Sequence, residues 1–228
     1  MTDKRSIPSI VEINYLRDKL IKWFDVYQRD YPWRNTNDPF RVLIAEIMLR
    51  RTKADQVKDV YRELFNTYPD IDALANAGDE LNGILYHLGL QWRQSAFRNV
   101  VSDIKIKYNS KVPETREELK KLEGVGDYVA GAVLSIAMNK NEWIVDSNIV
   151  RLFQRYFGIE TSKEGRRDKH IIEFSKIYSS DAEPRKANLA ILDFTAIVCK
   201  PGKPICGDCI INTNCVYFKT CLDNRVSV

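Results

Sequence analysis

Residues 119–126, Leu-Lys-Lys-Leu-Glu-Gly-Val-Gly, constrain the fold more than any other stretch. Gly124 and Gly126 stand one residue apart between two helical patterns. Glycine tolerates the positive φ that so tight a reversal needs. The spacing predicts a helix ending at Leu122, a hairpin over Gly124-Val125-Gly126, and a new helix from about Asp127. That second helix carries Ala130, Val133, Leu134, Ala137 and Met138 at i, i+3, i+4, i+7 and i+8, a buried stripe. Its first turn offers unbonded backbone N–H groups beside a glycine-rich loop, which suits an anion. The stretch reads as a helix-hairpin-helix that grips a phosphate of DNA.

The rest of the chain shows helical periodicity only. No segment sustains two-residue alternation, so the fold class is all-α. An N-terminal helix is expected to present Val11, Tyr15, Leu16, Leu20, Trp23 and Phe24 on one face. Asp38 caps the next helix with Pro39 in its first position, and Phe40, Leu43, Ile44, Ile47 and Met48 form its buried stripe. Further helices are expected around 55–67, 70–76, 79–86 and 93–108. Asp146-Ser147-Asn148 opens a helix that buries Val150, Phe153 and Phe157 and ends at Gly158. Residues 159–198 supply two more, with a solvated charge run over Lys163–Lys169 and an apolar, buried stretch over Ala187–Val198. A net charge of +4 permits a nucleic-acid partner without demanding one. No apolar run is long enough to span a membrane, and no apolar segment follows the first residues, so the reading is of a cytoplasmic protein without a signal peptide.

Four of the five cysteines follow the pattern Cys199-x6-Cys206-x2-Cys209-x5-Cys215. A chain in a reducing compartment keeps no disulfides there, so metal binding comes first. Spacing alone leaves zinc and a [4Fe–4S] cluster open, because both accept four thiolates. Two histidines, His87 and His170, argue against a His-based triad or a multi-His metal site, and both read as surface or boundary residues. Asp146 has an ordinary structural explanation as an N-cap. Hydrogen bonds from a helix N-terminus also favour an ionised carboxylate, which suits an electrostatic role in catalysis. Glu46 and Arg50 stand at i, i+4 and could be no more than a surface ion pair.

Taken together, the hairpin, Asp146, the cysteine spacing, Tyr31-Pro32-Trp33-Arg34 and Arg50-Arg51-Thr52 resemble the helix-hairpin-helix DNA glycosylases of the endonuclease III superfamily. Within it the resemblance is greatest to mismatch-specific thymine-DNA glycosylases of archaeal type, with adenine-DNA glycosylases second. The resemblance implies two helical domains with the DNA site between them. One is a six-helix barrel over residues 30–140 bearing the hairpin; the other, over 1–29 and 141–228, carries a [4Fe–4S] cluster on Cys199, Cys206, Cys209 and Cys215. It implies catalytic roles for Asp146, Tyr128 and Glu46. DNA contacts fall to Arg50, Arg51, Leu90, Gln91, Gly124, Gly126, Asn148, Lys200 and Lys203. Arg50 matches a residue that fills the hole left by a flipped base, and Leu90, in Leu88-Gly89-Leu90-Gln91-Trp92, matches a wedge pushed into the duplex. Trp33 reads as a core anchor and Cys221 as an unligated thiol.

In bifunctional relatives a lysine of the second hairpin helix attacks the sugar; here that position is Tyr128, and a phenol forms no imine. Asp127 stands where the family usually has a basic residue; an acid suits a helix N-terminus but repels a phosphate. Lys120, across the hairpin, reads as a phosphate or surface residue. The implied function is a monofunctional glycosylase, working as a monomer on mismatched double-stranded DNA, that removes thymine or uracil opposite guanine. Adenine removal opposite guanine or 8-oxoguanine is the alternative. Against it stand the Arg-Arg-Thr segment, the Val145-Asp146-Ser147-Asn148 segment and a chain that stops soon after Cys215. A non-catalytic helix-hairpin-helix DNA-binding module is the second alternative.

Overall fold

The computed structural model describes residues 7–86, 88 and 91–226, the side chains of 91–93 and 222–226 excepted. His87 and the proposed wedge Leu90 therefore lie outside the described residues, as does the side chain of Gln91. Among the described residues all regular structure is helical. The chain divides into two compact units, Met1–Arg29 with Asn141–Val228, and Asp30–Lys140.

Helix α1 (Ile10–Tyr27) starts at a capping box: Ser9 Oγ accepts from the Glu12 backbone N–H (3.3 Å) and Glu12 Oε2 accepts from the Ser9 N–H (2.8 Å). Its buried face is Ile13, Leu16, Leu20, Trp23 and Phe24. Val11 and Tyr15, expected on that face, are 77% and 39% exposed. The stripe that meets the core runs i, i+3, i+7, i+10, i+11 from Ile13. Val11 and Tyr15 each lie two residues from Ile13, about 200° around the helix.

In the unit Asp30–Lys140, Trp33 is 5% exposed, stacked on Tyr31 at 4.8 Å and edge-on to Tyr61 at 5.5 Å, a core anchor. Helix α2 (Pro39–Met48) opens on Asp38, whose carboxylate accepts from the Phe40 N–H (2.9 Å). Val42, Ala45 and Glu46 are buried along with the expected stripe, so α2 is buried from Val42 to Met48 and only Pro39 and Arg41 near its start are half-exposed. Helices α3 (Ala54–Thr67), α4 (Ile71–Ala75), α5 (Glu80–Tyr86) and α6 (Gln91–Lys107) follow close to the expected ranges. Helix α7 is only Arg116–Leu119, three residues shorter than the spacing predicts. Beyond it Lys121 and Leu122 close single tight turns on the Glu118 and Leu119 carbonyls (3.0 and 3.1 Å), and these tuck Leu122 into the core. Helix α8 (Asp127–Ala132) runs on as a π-helical turn, Val133–Ala137. There Ser135 Oγ donates to the Gly131 carbonyl (2.7 Å) in competition with the regular ladder.

The first unit resumes with α9 (Ser147–Phe157), closed by Gly158 at φ +69. Its buried residues are Ile149, Val150, Leu152, Phe153 and Tyr156; Phe157, expected to be buried, is half-exposed against Phe153, Tyr156 and Phe174. Helix α10 (Lys169–Ser179) is capped by Asp168, and α11 (Pro184–Ile197) packs on α1. Helix α11 is less apolar than its sequence suggests: Asn188, Asp193 and Thr195 are buried, whereas Ala196 is exposed. Asp193 takes Arg29 Nε at 2.7 Å and the Arg29 backbone N–H at 2.8 Å, pinning the end of α1 to α11. A last helix, α12 (Val216–Val226), follows Cys215, beyond the helices the sequence predicts.

Candidate active site and nucleic-acid interface

The hairpin joins α7 to α8. Only Gly124 uses the left-handed region, at φ +74; Gly126 is extended at φ −101, ψ −174, so positive φ is needed at one glycine rather than both. A Cβ on Gly124 would meet Arg50 Nη1 at 2.6 Å, whereas one on Gly126 would meet nothing within 4 Å. Gly126 thus leaves open space in front of α8, where backbone can approach a ligand. Val125, between them, is buried and anchors the tip.

Side chains brace this loop. Arg50 Nη1 donates to the Gly124 carbonyl (3.2 Å), and Asn99 Nδ2 donates to Glu123 Oε2 (2.6 Å). Arg116 Nη1 donates to the Asp127 carbonyl (2.6 Å). Lys120 Nζ lies 2.7 Å from Asp127 Oδ1 and Arg116 Nη1 lies 3.8 Å from it. Arg50 sits beyond the end of α2, in the turn to α3, where Arg51 is exposed with φ +58. Glu46 is 6% exposed, so it stands on a buried face of α2 and not on the surface. Tyr128 is half-buried on the first turn of α8, and α2, which carries Glu46, packs against α8.

Asp146 belongs to the other unit, as the N-cap of α9. Its Oδ1 accepts from the backbone N–H of Asn148 (2.9 Å) and of Ile149 (2.8 Å), and its Oδ2 accepts from Asn148 Nδ2 (2.7 Å). Asn148 Oδ1 in turn accepts from Arg151 Nη1 (2.7 Å). The Arg151 guanidinium also donates to the Cys199 carbonyl (2.8 Å from Nη2) and the Thr195 carbonyl (3.1 Å). One turn on, Arg155 Nη1 donates to the Lys200 carbonyl (2.8 Å) and lies 3.6 Å from Cys199 Sγ. Arg151 and Arg155 were missed by sequence reasoning. Their signal was positional: with Asn148 they stand at i, i+3, i+7, on one face of α9.

Cys199 is buried, and Cys206, Cys209 and Cys215 are half-buried. Burial pushes the Cys209 thiol up to about 11, and Cys215, Cys199 and Cys206 each add to the rise. Thiolate charge on Cys199, Cys206 and Cys215 would thus oppose ionisation of Cys209. Among the described residues no group of three or more Cys, His, Asp or Glu is placed around a single ion. Four thiolates are a donor set that a [4Fe–4S] cluster, like zinc, accepts. Lys200 is half-buried and Lys203 exposed. Cys221 is hydrogen-bonded with Tyr217, and His170 is exposed.

Residues 107–136 match the helix-hairpin-helix motif family. A thymine-DNA glycosylase of Aeropyrum pernix is 35% identical over 90% of this chain and 95% of its own length. A thymine/uracil-DNA glycosylase of Pyrobaculum aerophilum is 36% identical over 93% of this chain and 96% of its own. The solved structure of a thermostable thymine-DNA glycosylase superposes with a TM-score of 0.87 at 31% identity, covering 92% of this chain and 97% of that one. The chain belongs to the helix-hairpin-helix DNA glycosylases of the endonuclease III superfamily. Its likeness within that superfamily is to the thymine-DNA glycosylases.

Proposed function

We infer that the chain is a monofunctional DNA glycosylase that removes thymine or uracil opposite guanine. The names and coverage of the two relatives support the substrate. The observation that carries the chemistry is Asp146, a carboxylate fixed by three hydrogen bonds at the start of α9.

A base inside a duplex is out of reach, so the mispaired nucleotide is flipped out; unpairing costs least at a mismatch, which is itself a source of selectivity. The bond from C1′ to the base nitrogen breaks, its electron pair leaves with the base, and positive charge develops on the sugar. Asp146 supplies a fixed negative charge for that sugar, with no reorganisation at the moment of reaction. Water adds to C1′ and gives up a proton, the departing base gains one, and an abasic site remains. Tyr128 and Glu46 are assigned to the base: Tyr128 stacks on it or hydrogen-bonds it, and Glu46 bounds its pocket. Because a phenol forms no imine, the strand stays intact after base loss.

The DNA backbone is assigned to the hairpin at Gly124 and Gly126 and to Arg51, Lys200 and Lys203, with Arg50 beside the hairpin and Leu90 and Gln91 at the vacated stack. Asn148 serves first to orient Asp146. Cys199, Cys206, Cys209 and Cys215 would hold a [4Fe–4S] cluster. Held by those four thiolates, it would organise the loop that carries Lys200 and Lys203 and would leave the chemistry to other residues.

The test is single-turnover cleavage of labelled duplexes carrying G·T, G·U, A·G or A·8-oxoguanine, each read with and without hot alkali. The expected result is scission of the T or U strand opposite G, visible after alkali. Release of adenine would make the chain an adenine glycosylase. Breaks without alkali would refute the reading of Tyr128, and binding with no base release from any duplex would favour a non-catalytic module.

A further inference from the structure

We propose that Asp127 limits the grip of the hairpin on DNA by holding Lys120 away from the phosphate backbone, so that undamaged duplex and abasic product are released. This rests on the DNA-binding reading above and concerns how tightly that interface holds.

The ligand of this loop is a polyanion, yet the first residue of α8 is an acid, 47% exposed at its side chain. Its Oδ1 sits 2.7 Å from Lys120 Nζ and 3.8 Å from Arg116 Nη1. Arg116 and Lys120 are one helical turn apart, so both present their charge to the same carboxylate. Arg116 is fastened further by its 2.6 Å bond to the Asp127 carbonyl. Over residues 116–127 the basic residues Arg116, Lys120 and Lys121 face the acidic residues Glu117, Glu118, Glu123 and Asp127, which leaves the segment without the positive charge a strong grip needs.

The phosphate contribution to binding does not depend on sequence, and it grows with each cation that displaces a counterion. Such affinity holds normal DNA as firmly as mismatched DNA. An enzyme that must scan and then turn over gains from a hairpin that positions the backbone without gripping it hard. Lys120, at 43% side-chain exposure, is the cation within reach that the acid withholds.

The experiment uses the full chain and measures binding of an undamaged G·C duplex and of a duplex with an abasic site opposite G, across a salt series. Base release is followed under single- and multiple-turnover conditions. Asp127→Asn should bind both duplexes more tightly. Its plot of log affinity against log salt should steepen by about 0.9, one added phosphate contact. Its multiple-turnover rate should fall relative to its single-turnover rate. Asp127→Glu should restore wild-type slope. Lys120→Gln alone should leave the slope unchanged, and in the Asp127→Asn background it should abolish the steepening. The proposal is overturned if Asp127→Asn keeps the wild-type slope and affinity, or if Lys120→Gln alone flattens the slope by about 0.9, the mark of a lysine already on phosphate. Should Asp127→Asn fail to fold, Asp127→Ser, a residue also favoured at the start of a helix, takes its place with the same expected steepening and the same Lys120→Gln control. A wild-type chain that binds no duplex at low salt would sink the DNA-binding reading itself.

Discussion

Asp146 has two duties that one set of hydrogen bonds serves. As an N-cap it satisfies two backbone N–H groups of α9; as the proposed charge stabiliser it is held still by those same bonds and by Asn148 Nδ2. Asp146→Asn separates the two. Asparagine is also a good N-cap, so α9 keeps its start, but the negative charge is gone. Base release in single turnover should drop by about 10²–10³-fold, while binding to a G·T duplex persists; an unchanged rate would remove Asp146 from the chemistry. Its capping was legible in the sequence because the partners lie two and three residues away. The involvement of Arg151 was not, because its other contacts are carbonyls of residues 195 and 199, far along the chain.

At the scale of elements, the loop Cys199–Cys215 has little regular structure of its own and hangs on α9. Arg151 and Arg155 take the carbonyls of Cys199 and Lys200, Cys215 Sγ lies 3.4 Å from the Arg155 carbonyl, and Asn212 Nδ2 donates to the Cys206 carbonyl (3.2 Å). A cluster held on the four proposed cysteine ligands would add to these braces by tying four points of the loop to one centre. Cys206→Ser should therefore lose iron, measured by metal analysis and the cluster's visible absorption, and should lower the melting temperature. Full iron content with unchanged melting would remove Cys206 from the ligand set. Helix α2 carries a related lesson. Its apolar stripe is the one its sequence predicts, but Val42, Ala45 and Glu46 are buried as well, since α3, α8 and the π-helical turn also pack on it. Periodicity marks the face turned to one neighbour; it is silent about additional ones.

For the whole molecule, each unit carries a tyrosine whose ionisation opposes folding. Burial raises Tyr61 to about 12, partly offset by Arg41, and burial likewise raises Tyr156 to about 12. A folded value above the ordinary one means that the folded state holds its proton longer. Stability is therefore whole below pH 10 and declines as pH climbs from 10 towards 12, by at most about 2.7 kcal/mol per tyrosine. Circular dichroism with tyrosine absorbance should show helix loss and the last tyrosine ionisations together in that window. Complete ionisation near pH 10 with the helices intact would contradict it.

Features that rest on interactions over a few residues can be read from the chain before it packs. The all-helical class follows from the helical period of the apolar residues, and the caps at Asp38 and Asp146, the stop at Gly158 and the hairpin follow from side chains bonding to neighbouring backbone or from glycine's freedom at φ +74 and +69. Tertiary structure decided what periodicity leaves open. It chose the Ile13 face of α1 over the Val11 face, buried Glu46, sent Arg151 to the Cys199 carbonyl and set Lys120 against Asp127. A helix pattern fixes the spacing of contacts but not which neighbours arrive, and distant partners assign each side chain to core, brace or surface only once the chain has packed.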